Sequence, residues 1–114
     1  MDIEWLRKYC LSFPGSTEEI KWGHDLCFMV GGKMFCVTGL EEIKVGFKVP
    51  DEQFEEISTR EGFIPAPYMA RAKWVLVQDP TKLQRKEWEK FISQSYTLVK
   101  EKLTKKAKKE LGIK

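Results

Sequence analysis

Two adjacent glycines, Gly31-Gly32, separate the apolar runs Leu26–Val30 and Met34–Val37. A two-residue glycine loop supplies the positive φ angles that tight hairpin turns require. The two runs are therefore expected to pair as antiparallel strands, with Lys33 opening the second strand beside the turn. Ile43, Val45, Phe47 and Val49 then alternate with Lys44, Gly46 and Lys48. That alternation predicts a half-buried antiparallel strand with its lysines on the face opposite the core. Thr17–Trp22 reads as a short strand or an irregular entry, and Gly23-His24-Asp25 as a turn.

Helices are expected before, between and after these strands. Ile3, Leu6, Cys10 and Phe13 recur at helical spacing, Asp2 is placed to cap them, and Pro14-Gly15 stops them. Pro50-Asp51-Glu52 suits the first turn of a short second helix, with Phe54 and Ile57 as its apolar stripe and an end near Arg60–Gly62. From about Leu83 to Leu103, the residues Trp88, Phe91, Ile92, Ser95, Leu98, Val99 and Lys102 fall on one stripe of a long last helix. Between helix and helix lie the proline-stiffened segment Ile64–Trp74, read as a loop, and the compact strand Trp74–Val77, broken by Asp79-Pro80. The order is α-β-β-β-β-α-β-α. It predicts an α+β fold: an antiparallel sheet of about five strands flanked by N-terminal, middle and long C-terminal helices.

With 114 residues the chain is expected to form one domain, residues 1–103, followed by a basic tail, 104–114, that frays. The tail dominates the charge. From Lys100 to Lys114 there are seven lysines against Glu101 and Glu110, a net of +5, so residues 1–99 carry −2 of the chain's +3. The pI near 8.7 therefore does not describe the domain surface. No run approaches the ~18 apolar residues of a membrane helix, and Met1-Asp2-Ile3-Glu4-Trp5 lacks a secretory pattern. A cytoplasmic protein with no membrane association is expected. Cys10, Cys27 and Cys36 lie in apolar runs without C-x-x-C spacing, which predicts buried, reduced thiols.

Several stretches together resemble the YjbR/MmcQ family of small bacterial proteins: Trp22-Gly23-His24, Gly32-Lys33-Met34-Phe35, Val45–Lys48, Pro65-Ala66-Pro67-Tyr68, Trp74-Val75 and Ser95-Tyr96. The resemblance covers nearly the whole chain. It implies a fold similar to the CyaY/frataxin group, an α+β sandwich, and carries a DNA-binding expectation that rests on fold shape. It brings no catalytic residue and no cofactor.

The residues themselves show no catalytic constellation, so no enzyme is expected. His24 is the single histidine, with no ligands at metal spacing, and its neighbour Asp25 would point to the opposite face of an extended segment. Iron binding of the frataxin kind would need convergent acids. Here Glu18-Glu19 and Glu41-Glu42 are pairs rather than a ridge, so no metal is expected. DNA is the favoured partner: Lys33, Lys44, Lys48, Arg71 and Lys73 are candidates for phosphates and Tyr68 for bases. A helical turn after Pro67 would set Tyr68 and Arg71 on one side. The alternatives are a protein partner, a second copy docked through surplus aromatics of the last helix, or a small ligand. Ser95-Tyr96 is expected to hydrogen-bond toward the Ile64–Trp74 loop.

Overall fold

The computed structural model describes residues 1–113. Helix α1 spans Ile3–Leu11, and the Asp2 carboxylate caps it by accepting the Trp5 N–H at 2.8 Å. Strands β1 (Ser16–Lys21), β2 (Asp25–Val30), β3 (Lys33–Gly39) and β4 (Val45–Lys48) follow. After a 3-10 turn at Asp51–Gln53 come α2 (Phe54–Ser58), β5 (Phe63–Pro65) and β6 (Trp74–Val77), then α3 (Arg85–Glu101) and α4 (Lys105–Glu110). All six strands form one antiparallel sheet in the order β1-β2-β3-β4-β6-β5. The α+β expectation holds, with six strands among the described residues instead of about five. The extra one, β5, comes from the segment read as loop: Phe63 and Pro65 pair with Val77 and Val75.

Gly31 and Gly32 take φ angles of 59° and 79°, the geometry of a primed turn, and the hairpin closes with Val30 opposite Lys33. The register then slips. Met29 faces Met34 but Phe28 faces Cys36, so Phe35 is an extra, bulged residue. The bulge lets both Phe35 and Cys36 reach the core, where neither is exposed to solvent.

Helices cover one face of the sheet and leave the other open. On the covered face Leu26, Phe28, Val30, Val45, Phe47, Val75 and Val77 meet Leu6 and Cys10 from α1 and Trp88, Ile92 and Val99 from α3. The aromatic stripe of α3 is consumed here, with Trp88, Phe91 and Tyr96 all buried. It therefore leaves no apolar surplus for a second copy, and that premise is corrected. Ser95, fully buried, does not reach toward Ile64–Trp74 either. Its hydroxyl donates to the Phe35 carbonyl at 2.6 Å and accepts the Lys48 N–H at 2.9 Å, bridging β3 and β4 where the bulge ends their ladder. Tyr96 instead donates to the Pro14 carbonyl at 2.6 Å and stacks on Phe13, tying α3 to the turn after α1.

Within the lysine-rich end, Lys105–Glu110 form α4. Thr104 caps α4 by accepting the Ala107 N–H at 3.0 Å, and Ile113 is buried. Two glycines make room for this end. A Cβ on Gly31 would stand 2.6 Å from Leu103, and one on Gly15 would stand 2.8 Å from Ile113. These two apolar contacts, Leu103 at Gly31 and Ile113 at Gly15, hold the short helix against the rest of the fold.

Candidate functional site

The uncovered sheet face carries an apolar groove of about 690 Å³. Its floor comes from alternate residues of three neighbouring strands: Met34 and Val37 on β3, Gly46 on β4, Trp74 and Leu76 on β6. Gly46 deepens it, because a side chain there would project between Val37 and Leu76. Two exposed aromatics border the groove at opposite corners: Trp22 in the β1–β2 turn, 65% exposed, and Tyr68 in the β5–β6 loop, fully exposed at 107%.

Both aromatics sit where glycine is usually found. Trp22 has φ 56° and Gly23 φ 76°, and the His24 N–H returns to the Lys21 carbonyl, so Trp22-Gly23 is the centre of a primed turn. Tyr68 has φ 65°, follows Pro67, and lies within a turn closed by the Met69 N–H to the Ala66 carbonyl. That is a type II turn with proline at its second position and tyrosine at its third, which normally takes glycine or asparagine. A non-glycine residue in the left-handed region costs about 1 kcal/mol or more. Strain of this kind clusters at functional sites, and here it displays two large rings to solvent at the rim of one groove.

The third such residue, Lys73, has φ 65° and ends the 3-10 turn Ala70–Ala72 that follows Tyr68. Its ammonium lies 5.1 Å from the centre of the Phe54 ring, while its carbonyl accepts the Val49 N–H. Tyr68 and Arg71 consequently do not share a helical turn, correcting that expectation. Tyr68 tops a type II turn and Arg71 sits in the separate 3-10 turn after it, exposed to solvent.

Of the cations expected to converge, four do so by topology. The first residue of β3 (Lys33), the last of β4 (Lys48) and the residue before β6 (Lys73) lie at the same end of the antiparallel sheet, and Arg71 is in the loop there. Lys48 is half-buried and donates to the Ala72 carbonyl, which anchors the loop. Burial, with the Lys102 and Lys73 ammoniums nearby, lowers its proton affinity against a weaker pull from Asp51. Lys44 does not converge with them: it precedes β4 and lies at the opposite end of the sheet from Lys48, 3.5 Å from Glu42. The contrast extends further. Among the described residues Arg7, Lys44, Arg60 and Lys82 form ion pairs with acids, whereas Lys33, Lys48, Arg71, Lys73 and Lys102 form none.

Among the described residues, the acidic or basic side chains that line the groove belong to His24 and Asp25. The turn brings them together, His24 Nε2 to Asp25 Oδ2 at 3.9 Å, instead of on opposite faces. Among the described residues no group of three or more histidines, cysteines or acids is placed to hold a metal ion. Cys10, Cys27 and Cys36 are free and buried, and burial beside Cys36 pushes the Cys10 thiol far up. No helix among the described residues is long and apolar enough to cross a membrane. Sequence reasoning missed Trp22 and the groove itself. The available clue was the dipeptide Trp22-Gly23 in a turn, a large apolar ring where polar residues are usual.

Comparison with known proteins agrees with this architecture. A family model described as YjbR matches residues 11–98. Superposition on the crystal structure of a Deinococcus radiodurans protein with a DUF419 domain gives a TM-score of 0.88 at 26% identity, covering 98% of this chain and 88% of that one. A Pseudomonas syringae protein shares the fold at a TM-score of 0.69 and 19% identity, covering 87% of this chain and 99% of that one. No curated protein matches the sequence.

Proposed function

The chain belongs to the YjbR family, and from that premise we propose that it is a non-catalytic cytoplasmic module that binds single-stranded nucleic acid across the open face of its sheet. The observation that carries this is Tyr68, fully exposed in a strained turn and followed within five residues by the unpaired cations Arg71 and Lys73. Single strands are held by rings that stack on bases and by cations that follow the phosphates. Lys33, Lys48 and Lys102 extend the positive end, and α4 places its lysines beside it. A duplex offers only its backbone to such a face, because its bases are already stacked.

The test is a salt titration of binding to a single-stranded oligonucleotide and to its duplex. The single strand is expected to bind more tightly, with affinity falling steeply as salt rises. Arg71→Ala is expected to flatten the slope by about one unit, and Tyr68→Ala to weaken the single strand alone. No binding of either form at low salt would sink the reading. The apolar floor of the groove favours one rival, an apolar segment of a protein partner, whose binding would be insensitive to salt.

A further inference from the structure

Resting on that reading, we propose that the groove between Trp22 and Tyr68 is a base pocket that selects an unpaired guanine, held by the Asp25 carboxylate. The groove's size falls in the range of small-ligand sites, about 300–1,000 Å³. Its lining is almost wholly apolar, as a site for the two faces of a flat ring should be. What such a site recognises is then set by its few polar groups, and Asp25 supplies the strongest acceptor among them.

That carboxylate is uncommitted. The nearest basic side chain, His24 with its Nε2 at 3.9 Å, is beyond hydrogen-bond reach, and among the described residues no side chain or backbone N–H donates to the carboxylate. Lys21 lies directly across the ladder from Asp25 without forming an ion pair with it. A carboxylate with two free oxygens is complementary to two parallel donors. Guanine alone among the bases presents them, N1–H and an N2 amino hydrogen side by side on its Watson–Crick edge. Adenine and cytosine each present one amino group beside a ring acceptor, and thymine presents an imide N–H between two carbonyls that would face the carboxylate.

The Tyr68 rim of the pocket belongs to the loop before β6, at the end of the sheet where Lys33, Lys48 and Lys73 lie. Trp22 and Asp25 line the same groove, and Lys21, across the ladder from Asp25, is available for the adjoining phosphate. Across the groove Tyr68 takes the next base, near Arg71. A guanine within a duplex cannot enter, because its donors are already satisfied by cytosine.

Affinities for an oligothymidylate and for the same strand with one central guanine, adenine or cytosine, read by fluorescence anisotropy, test the proposal. Guanine is expected to tighten binding at least about fivefold over all-thymine, the lower end for a bidentate contact. Asp25→Asn should remove that preference, bringing the affinity for the guanine strand level with that for oligothymidylate. Trp22→Gly, which suits the positive φ of the turn and so leaves the fold intact, should weaken every strand. Equal affinity for all four strands, or a guanine preference that survives Asp25→Asn, would overturn the base pocket while leaving the wider reading in place. Failure of every strand to bind at low salt would remove the wider reading itself.

Discussion

Trp22, Tyr68 and Lys73 are the non-glycine residues with positive φ among the described residues, and two of them line the groove. At the residue scale this predicts a separation of stability from binding. Trp22→Gly and Tyr68→Gly each relieve left-handed strain but loosen the unfolded chain, so stability should stay level or rise by up to about 1 kcal/mol. Urea denaturation checks this, and a loss larger than about 1 kcal/mol would show that the rings support the fold. Ser95 should behave oppositely. Ser95→Ala strands the Phe35 carbonyl and the Lys48 N–H in the interior, at a cost of about 1–3 kcal/mol by the same measurement. The sequence showed Ser95 on a buried stripe, which is a sign that a hydroxyl there has work to do. It did not show with whom, because the partners exist only through the Phe35 bulge, a feature of strand register rather than of residue type.

Elements differed in how plainly they could be read. The β2–β3 hairpin is written locally, in two glycines flanked by apolar runs, and α3 in a stripe long enough to repeat several times. β5 is three residues long and is a strand only because β6 lies beside it. α4 is six residues, mostly lysine, with no stripe of its own, and what holds it is Leu103 against Gly31 and Ile113 against Gly15. Such anchors are tertiary and leave no local pattern. Deleting residues 104–114 is therefore expected to lower stability by about 1.5–3 kcal/mol, the worth of one large buried aliphatic, instead of trimming a loose end. Gly31→Ala should have a like effect, since its Cβ would collide with Leu103. Thermal unfolding of both variants checks the pair, and an unchanged midpoint in either would show that α4 is not clamped.

At the scale of the whole molecule, Lys33, Lys48 and Lys73, which form no ion pair, lie at the end where β3 and β6 begin, while the other end carries the paired Lys44–Glu42 and Lys82–Glu61 contacts together with the unpaired Lys21. The pairing of Glu87 with Arg60 at 2.8 Å links α3 to the segment after α2 and, first through that hydrogen bond, holds the Glu87 carboxyl below its ordinary value. Hydrogen bonds from Thr81 do the same for Asp79. Because both values are lower in the folded chain than in the unfolded one, their contribution is complete above the ordinary carboxylate range. It is lost as pH falls through the depressed folded values. Stability measured against pH should thus decline on the acid side, and Glu87→Gln should make that decline shallower. An identical acid limb in the variant would show that the ion pair contributes nothing. The candidate site was legible only in part at this scale: the cations and Tyr68 were visible as residue types, but which end of the sheet each would occupy depends on strand direction.

The two rings at the groove rim also bear on how this surface responds to selection. A population of variants chosen only for heat tolerance is expected to exchange Trp22 and Tyr68 for glycine or asparagine, because those residues accept the positive φ without strain. One chosen for occupancy of the groove must retain both. Sequencing the survivors of the two regimes, with no ligand named in advance, would show whether this face serves the protein's stability or something outside it.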